Sequence, residues 1–502
     1  MLFNSIEFIF FFLPATVCGY FVLAKIGGAR WAMLWLTLAS LVFYSYWDIR
    51  FLPILCSSIV FNYLIGLVLA EKWHSGIRGS AQRWLIFGVA VNLLILAYCK
   101  YANLFLLAYN DLTRQHIEFI KVLLPLGISF FTFTQIAFLV DVYRGKAREH
   151  NAMKYALFVS YFPHLIAGPI LHHREMMPQF GSPNTLRPNP LYLAVGCTIF
   201  SMGLFKKVVF ADGMAMIADP VFAVTGGAVS PVDAWLGVTA FALQIYFDFS
   251  GYSDMAIGLS YMFGIRLPVN FFSPYKSTGI IEFWRRWNMT LSRFLRDYLY
   301  IPLGGNRKGP MRRHINLMIT MLLGGLWHGA GWTFIVWGGL HGLYLIVNHG
   351  WRTMTKRFFP RVAVSRNLLL RMAFIALTFL CVTIAWVFFR ATSLDSAVAM
   401  LKAMAGLNLH TGKLLVWTLI HGTQIAIPAL LLVVFFTPNT LEIMKKFRPA
   451  LDTDFLKPDG RRLAPAWKPD MLWGGVTALT LLIGLLTLFA TGDGTQFLYF
   501  QF

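Results

Sequence analysis

The chain has 502 residues, of which 57% are hydrophobic and 13% are charged, and its formal net charge is +21. A soluble domain carries about 25% charged residues, so this composition excludes an ordinary soluble globular protein. Apolar runs of the roughly 20 residues that cross a bilayer recur along the chain, which predicts an all-α polytopic membrane protein.

Twelve apolar segments are predicted to span the membrane. In chain order they are 8–24, 31–47, 51–70, 84–99, 122–140, 191–209, 235–260, 314–327, 331–348, 372–390, 416–437 and 471–490. Segment 155–171 is also apolar, but Pro163 and Pro169 break it. We expect this segment to be re-entrant, because irregular backbone survives at membrane depth only where protein or water satisfies its polar groups. We interpret His164, between these prolines, as structural rather than catalytic.

Three polar side chains, Asp248, Tyr252 and Asp254, interrupt the apolar segment 235–260 beside a Ser-Gly pair. Carboxylates at this depth indicate a kink next to water or a polar partner. A proton relay is one reading. The reading we favour is structural, with the carboxylates paired to nearby donors, and Lys206 and Lys207 are candidate partners.

Residues 282–298 are predicted to form one amphipathic helix. At about 100° per residue the aromatic and apolar side chains share one arc and the arginines share the opposite arc. Such a helix lies in the membrane plane, with its aromatic rings at the headgroup boundary and its guanidinium groups toward water or phosphate. A surface anchor for lipid headgroups fits the same pattern. Asn288 falls on the border of the apolar arc, where it can point into the protein.

His328 follows the apolar run that ends in Leu326-Trp327. An ionisable side chain at membrane depth is costly and therefore indicates a site. A lone histidine on an apolar helix is also often a core residue bonded to a backbone carbonyl, and both readings stay open. His341 lies beyond the Gly329–Gly331 break, so the two histidines can face each other from adjacent helices. No third ligand at metal spacing accompanies them, so we expect no zinc site.

Lysine and arginine gather in segments 265–313 and 349–371, where the only acids are Glu282 and Asp297. The positive-inside rule makes both segments cytoplasmic, and counting spans backwards places the amino terminus in the periplasm. This bias and anionic lipid account for most of the net charge. An anionic cofactor such as coenzyme A is compatible with the rest of the positive charge. Nucleic acid is not expected, because no soluble basic domain is present to bind it.

Four motifs, in this order, resemble the membrane-bound O-acyltransferase (MBOAT) family, and in particular its bacterial alginate-acetylating branch. They are Asp248 to Gly258, Glu282 to Tyr300, Gly304 to Arg307 and Leu322 to Gly329. The resemblance implies one domain over residues 1–502, with about 11–13 transmembrane helices plus re-entrant and interfacial helices around a central funnel. Segment 263–313 would be the cytoplasmic part that leads into the catalytic histidine.

The resemblance also implies the roles of individual residues. His328 matches the catalytic histidine and would act as general base. Asn288 matches the second signature position, where polysaccharide-acetylating members usually have histidine. Because asparagine cannot relay a proton, we assign it to orientation or oxyanion support. The expected set for binding substrate and donor is Arg285, Arg286 and Arg293 for the donor phosphates, together with Trp287, Trp327, His341, Asp248, Tyr252 and Asp254.

The implied donor is acetyl-CoA or an acetyl thioester carrier, with no covalently bound cofactor. The implied partners are membrane lipids of the bacterial inner membrane and a separate periplasmic or membrane-anchored polysaccharide acetyltransferase. The acceptor stays open among alginate, cellulose, peptidoglycan and another exopolysaccharide. Two competing classes are a polysaccharide or lipid transporter or flippase, with Asp248 and Asp254 as coupling sites, and a non-catalytic scaffold for an exopolysaccharide assembly.

Overall fold

The computed structural model describes residues 1–115, 117–118, 124–224, 229–358, 367–407, 423–451, 465–492 and 495–498. Most of them are helical. In these ranges the strands are Leu267–Pro268 and Ala450–Leu451, which pair in parallel. The prediction of an all-α membrane protein is therefore confirmed in class.

The helices are numbered here in chain order. They are α1 (Leu13–Ser45), α2 (Phe51–His74), α3 (Arg78–Thr113), α4 (Ile128–Tyr143), α5 (Ala152–Ser160), α6 (Phe162–Leu165), α7 (His173–Met176), α8 (Pro190–Phe205), α9 (Asp212–Ala223), α10 (Pro231–Met262), α11 (Ile280–Phe283), α12 (Met289–Leu295), α13 (Gly309–His328), α14 (Trp332–Phe358), α15 (Leu368–Arg390), α16 (Leu394–Met404), α17 (Thr423–Phe436), α18 (Thr440–Ile443) and α19 (Met471–Thr491). Short π-helical segments occupy Phe8–Phe12, Lys206–Ala211 and Arg296–Tyr300, and 3₁₀ turns occupy Pro274–Lys276 and Lys445–Phe447.

The chain groups into two compact units that alternate along the sequence. Unit 1 contains Met1–Leu204, Tyr252–Val269 and Thr440–Phe500, and unit 2 contains Phe205–Gly251 and Asn270–Asn439. Helix α10 begins in unit 2 and ends in unit 1. His328 and Asn288 both belong to unit 2. The single domain and the central funnel implied by the resemblance stay predictions.

The first two predicted spans, 8–24 and 31–47, are joined at Gly28. Its φ of 69° and ψ of −161° are outside the helical range and suit glycine alone. Beyond this break the chain packs back on itself, because Trp35 Nε1 donates to the Thr16 carbonyl at 3.1 Å. A Cβ on Gly19 would overlap the same indole. The two predicted spans are therefore separate helices of one hairpin.

Six helical segments in the described part of the chain are long and apolar enough to cross a membrane. They are Phe8–Ser45, Phe51–His74, Arg78–Leu106, Pro190–Ala223, Leu368–Arg390 and Met471–Thr491. The multi-pass character expected from the composition is confirmed.

The other predicted spans also fall on helices. Spans 235–260, 314–327 and 331–348 lie on α10, α13 and α14, which are less uniformly apolar. Spans 122–140 and 416–437 lie on the shorter apolar helices α4 and α17. Residues 122–123 and 416–422 of these spans, and 359–366 of the basic segment 349–371, are outside the described residues.

Segment 155–171 is broken, as the two prolines predict. Helix α5 ends before Tyr161, where ψ turns to 108°, and the single turn of α6 follows. Every residue from 157 to 173 is buried. His164 Nε2 lies 2.9 Å from the Phe158 carbonyl oxygen, the contact expected of a structural histidine.

The prediction of one continuous helix over residues 282–298 is wrong. Helix α11 ends at Phe283, α12 begins at Met289, and Asn288 between them has a left-handed φ of 40°. The backbone N–H of Met289 donates to Asn270, and Phe272 N–H donates to the Arg286 carbonyl. An adjacent segment of chain thus takes backbone groups that a continuous helix would have used internally.

The prediction that the aromatic side chains of this region face the membrane headgroups is also wrong. Phe283, Trp287 and Leu291 are each buried inside unit 2 instead of facing the headgroup boundary. Arg285 is exposed, as predicted. The segregation of apolar and basic side chains is correct, but protein rather than lipid covers the apolar side.

Helices α13 and α14 approach until their backbones touch. A Cβ on Gly325 would overlap the Phe334 carbonyl oxygen, and one on Gly338 would overlap the Met321 carbonyl oxygen. Repeated glycines in lipid-soluble helices favour such close approach. This packing holds His328, the last residue of α13, against the first turns of α14.

We predict that Gly338→Ala separates α13 from α14 and lowers the stability of the protein by about 1–3 kcal/mol, the usual cost of overpacking. Gly339→Ala is the matched control, because its Cβ would meet only Leu322 Cδ2 at 3.6 Å. The thermal unfolding of each variant in detergent measures the difference. Equal unfolding temperatures for the two variants would contradict the close backbone contact.

Candidate active site

His328 lies at the end of α13 with its imidazole enclosed by aromatic rings. The side chain is buried, with 5% of the residue exposed. Ring centroids of Trp327, Trp337 and Phe389 lie 4.7, 4.9 and 5.2 Å from that of the imidazole, each in an edge-on arrangement. These contacts fix the plane of the ring, so the helix end presents a histidine of defined orientation.

His341 lies on α14 and is completely buried, with 0% exposure. Its Nδ1 accepts a hydrogen bond from Trp284 Nε1 at 3.3 Å. Its ring stacks on Phe283 with an interplanar angle of 10° and meets Trp337 edge-on at 4.8 Å. Trp337 therefore contacts both histidines, one on α13 and the other on α14. A cavity shared by His328 and His341 stays a prediction.

Trp287 and Asn288 lie in the turn between α11 and α12, in the same unit. Trp287 packs against Trp386 at 5.0 Å, and Trp386 stacks on Trp337 at 5.9 Å. Asn288 is buried, and its Nδ2 has no acceptor among the residues that the structure describes. A buried amide donor without an acceptor is unusual in a folded protein and calls for a partner from outside the chain.

Trp284 and Trp337 were missed from the sequence. Tryptophan in a membrane protein is most often an interfacial anchor, so neither residue was distinguishable by type. The available signal was spacing, because Trp337 precedes His341 by one helical turn on α14 and therefore shares its face.

Arg286, one of three arginines expected to hold donor phosphates, is engaged within the protein. Its Nη2 lies 2.7 Å from Glu282 Oε1, and its guanidinium lies 5.7 Å from the Phe272 ring. Burial disfavours the charge of Glu282, but the Thr278 N–H and the Arg286 guanidinium outweigh it and hold the pKa of this carboxyl below its ordinary value. Arg293 is half-buried in α12.

A second group of cations surrounds His349, and we call it the basic cluster. Its members are Arg285, Arg313, His314, His349 and Arg352. Arg313 Nη2 and His314 Nε2 are 3.1 Å apart. Burial, followed by the positive charges of the other four members, lowers the pKa of His349. Arg285 was expected from the sequence, whereas Arg313 and Arg352 lie on other helices that only the fold brings together.

Asp248 has the lysine partner expected from the sequence. Lys207 Nζ lies 2.7 Å from Asp248 Oδ1 and 2.8 Å from Asp212 Oδ1, and the lysine side chain is only 2% exposed. This ion-paired group connects the π-helical turn of Lys206–Ala211 to α10. The structural reading of Asp248 therefore agrees with these contacts.

Tyr252 and Asp254 belong to unit 1. Tyr252 stacks on Phe3 at 4.7 Å and meets Phe497 edge-on at 4.2 Å. Asp254 Oδ2 accepts a hydrogen bond from the Thr440 hydroxyl at 2.7 Å. These contacts lie in unit 1, whereas those of Trp287, Trp327 and His341 lie with His328 in unit 2.

We predict that Lys207→Met lowers stability by about 3–5 kcal/mol, because it leaves two carboxylates without their buried counter-charge. Adding Asp248→Asn should restore part of this loss. Lys402→Met on the exposed side of α16 serves as the control. Thermal unfolding in detergent distinguishes the variants, and a Lys207→Met protein as stable as the control would show that the ion pairs contribute nothing.

The fold and site together define a multi-pass helical membrane protein with a buried histidine enclosed by aromatic rings. The model of the membrane-bound O-acyltransferase family matches residues 29–389. Since this match covers most of the chain, the protein belongs to that family and is an acyltransferase, as the sequence motifs predicted.

Several curated proteins are similar over most of their length. A peptidoglycan O-acetyltransferase of Helicobacter pylori is 46% identical over 437 residues, which cover 81% of this chain and 80% of that protein. A probable alginate O-acetylase AlgI of Pseudomonas aeruginosa is 45% identical over 410 residues, or 80% of this chain and 75% of that protein. A teichoic acid D-alanyltransferase of Streptococcus thermophilus is 29% identical over 238 residues, or 45% of this chain and 57% of that protein.

Proposed function

We propose that this protein is an O-acetyltransferase that takes an acetyl group from a cytoplasmic thioester and passes it across the inner membrane for O-acetylation of a polysaccharide. The observation that carries the proposal is the oriented, buried imidazole of His328 in unit 2. The names of the relatives from Helicobacter pylori and Pseudomonas aeruginosa, at 46% and 45% identity, support acetyl transfer to a polysaccharide. Alginate is the first acceptor to test, and peptidoglycan is the second.

His328 acts as the general base in this proposal. Its imidazole removes the proton from the acceptor hydroxyl while the oxygen attacks the thioester carbonyl. The new C–O bond forms, the C–S bond breaks, and the imidazolium returns the proton to the leaving thiolate. Imidazole is the side chain best suited to accept and return a proton in the neutral pH range, and such a base contributes roughly 10²–10⁴-fold in rate. Asn288 Nδ2 supports the developing oxyanion.

The donor phosphates bind to the basic cluster. Arg285, Arg313 and Arg352 have no carboxylate partner in the described part of the chain, whereas Arg286 is already paired with Glu282. Like charges held close together repel, and an anionic ligand relieves that repulsion. Guanidinium groups also offer phosphates paired hydrogen bonds. Acetyl-CoA or the phosphopantetheine arm of a carrier protein presents the required phosphate.

The cellular arrangement completes the proposal. The bacterial inner membrane holds the protein with its amino terminus in the periplasm and the basic segments in the cytoplasm, following the distribution of lysine and arginine. A periplasmic or membrane-anchored acetyltransferase receives the acetyl group and esterifies the polymer. Membrane lipids contact the apolar faces of the spanning helices.

We predict that His328→Ala abolishes transfer of labelled acetyl from acetyl-CoA in inverted membrane vesicles, because the hydroxyl loses its base. His74→Ala, on an exposed helix end, is the matched control and should keep full activity. Full activity in a correctly inserted His328→Ala protein would reject the role of His328 and would favour a scaffold. Polymer or lipid movement without any acetyl transfer would favour a transporter.

We also predict that the double variant Arg285→Glu, Arg352→Glu raises the KM for acetyl-CoA about 30-fold, since each of the two exposed charges contributes on the order of 1 kcal/mol. The effect should shrink at high salt because the charges are exposed. Arg83→Glu, an exposed cation of α3, is the control. An unchanged KM in the double variant would remove the basic cluster from the donor site.

A further inference from the structure

Among the buried N–H donors of unit 2 for which the described residues offer no acceptor are three that belong to residues of the candidate site. They are His341 Nε2, Trp337 Nε1 and Asn288 Nδ2. Buried polar groups in proteins are nearly always hydrogen-bonded, and a donor left without an acceptor carries its full desolvation penalty. An acceptor from outside the chain would remove this penalty at each of the three donors.

The hydrogen bond from Trp284 fixes which nitrogen of His341 carries the proton. An indole N–H is only a donor, so His341 Nδ1 must be the acceptor of the 3.3 Å contact. The neutral ring therefore keeps its proton on Nε2. Because the ring is completely buried and stacked on Phe283, it stays in this tautomer and orientation. The hydrogen bond from Trp284 thus makes His341 Nε2 a hydrogen-bond donor.

Trp337 differs from Trp386, a second buried indole of the same unit. Trp386 Nε1 donates to the Tyr275 hydroxyl at 3.1 Å. Trp337 is 1% exposed and its Nε1 has no such acceptor. Its ring contacts both His328 and His341, at 4.9 and 4.8 Å between centroids. Trp337 Nε1 is therefore a buried donor, without an acceptor in the described part of the chain, whose ring contacts the proposed base.

The side chains around Trp337 Nε1 and His341 Nε2 determine which kind of acceptor can bind there. Apart from His328, the rings in contact with them are uncharged and include those of Phe283, Phe389 and Trp386. A permanent anion such as phosphate would lose its hydration there without gaining a counter-charge. A carbonyl oxygen is neutral before the reaction and acquires negative charge only during it. Fixed donors in a water-poor site stabilise that transient charge strongly.

We propose that Trp337 Nε1 and His341 Nε2 bind the carbonyl oxygen of the acetyl group while His328 activates the acceptor hydroxyl. This assignment rests on the proposed acetyl transfer and adds two residues to it. As the hydroxyl oxygen attacks, the C=O pair moves onto the oxygen held by the two N–H groups. The pair returns when the C–S bond breaks. Trp284 is a positioning residue, because it acts through His341.

The experiment compares kcat and KM for acetyl transfer by the purified full-length protein. Trp337→Phe removes one N–H and keeps an aromatic ring, and it should lower kcat about 10²-fold with little change in KM, as loss of an oxyanion donor does. His341→Phe should do the same. His341→Gln keeps an amide donor near the Nε2 position and should retain kcat within about tenfold. The pH profile of all three should keep the wild-type midpoint, because none of them removes the base.

Trp386→Phe is the matched control, because it removes a buried indole N–H whose acceptor is a protein hydroxyl. It should lower the unfolding temperature and leave kcat within about twofold. Equal losses of kcat in Trp337→Phe and Trp386→Phe would show a structural role only and overturn the assignment. His341→Gln as inactive as His341→Phe would likewise overturn it.

The same measurements separate this inference from the proposed function. An inactive His328→Ala protein beside fully active Trp337→Phe and His341→Phe proteins would leave the acetyl transfer standing and remove the two donors from it. Activity in His328→Ala would instead reject the proposed reaction itself.

Discussion

The contact between the backbones of α13 and α14 determines the geometry of the site. Gly325 and Gly338 lack the Cβ atoms that would keep the helices apart, so α13 can end with His328 directly beside the first turns of α14. Trp337 then lies between the two histidines, one from each helix. In lipid, where apolar surfaces gain little from meeting one another, such close packing is a main source of helix association. The position of the imidazole therefore depends on the absence of a Cβ atom at Gly325 and Gly338.

The sequence was most informative where a signal does not depend on tertiary context. Long apolar runs predicted the helices, because the length needed to cross a bilayer is fixed. The lysine partner of Asp248 was also predictable, since a buried carboxylate has to be paired. The continuous helix over 282–298 was wrong because periodicity describes side chains alone, whereas Asn270 and Phe272 compete for the backbone groups of that segment. The proposed role of Trp337 was not predictable from its residue type, because that role depends on which rings the fold places on either side of the indole.

Helix α14 carries two different electrostatic environments. His341 is enclosed by uncharged aromatic rings, and His349, eight residues later, belongs to the basic cluster. At 1.5 Å per residue the two positions are about 12 Å apart along the helix axis. In the proposed reaction, α14 would serve both an anionic group and a reactive carbonyl, and a donor that contacts both would have to be extended over that distance.

The alternation of the two units has a consequence for biosynthesis. Asp254 is hydrogen-bonded by Thr440, and Leu267 pairs with Ala450, so the middle of unit 1 is completed only by residues near the carboxyl end. The ribosome must therefore deliver nearly the whole polypeptide before these partners exist. Contacts so distant in sequence form late and slowly. A nascent chain arrested before Thr440 would lack the hydroxyl that donates to Asp254.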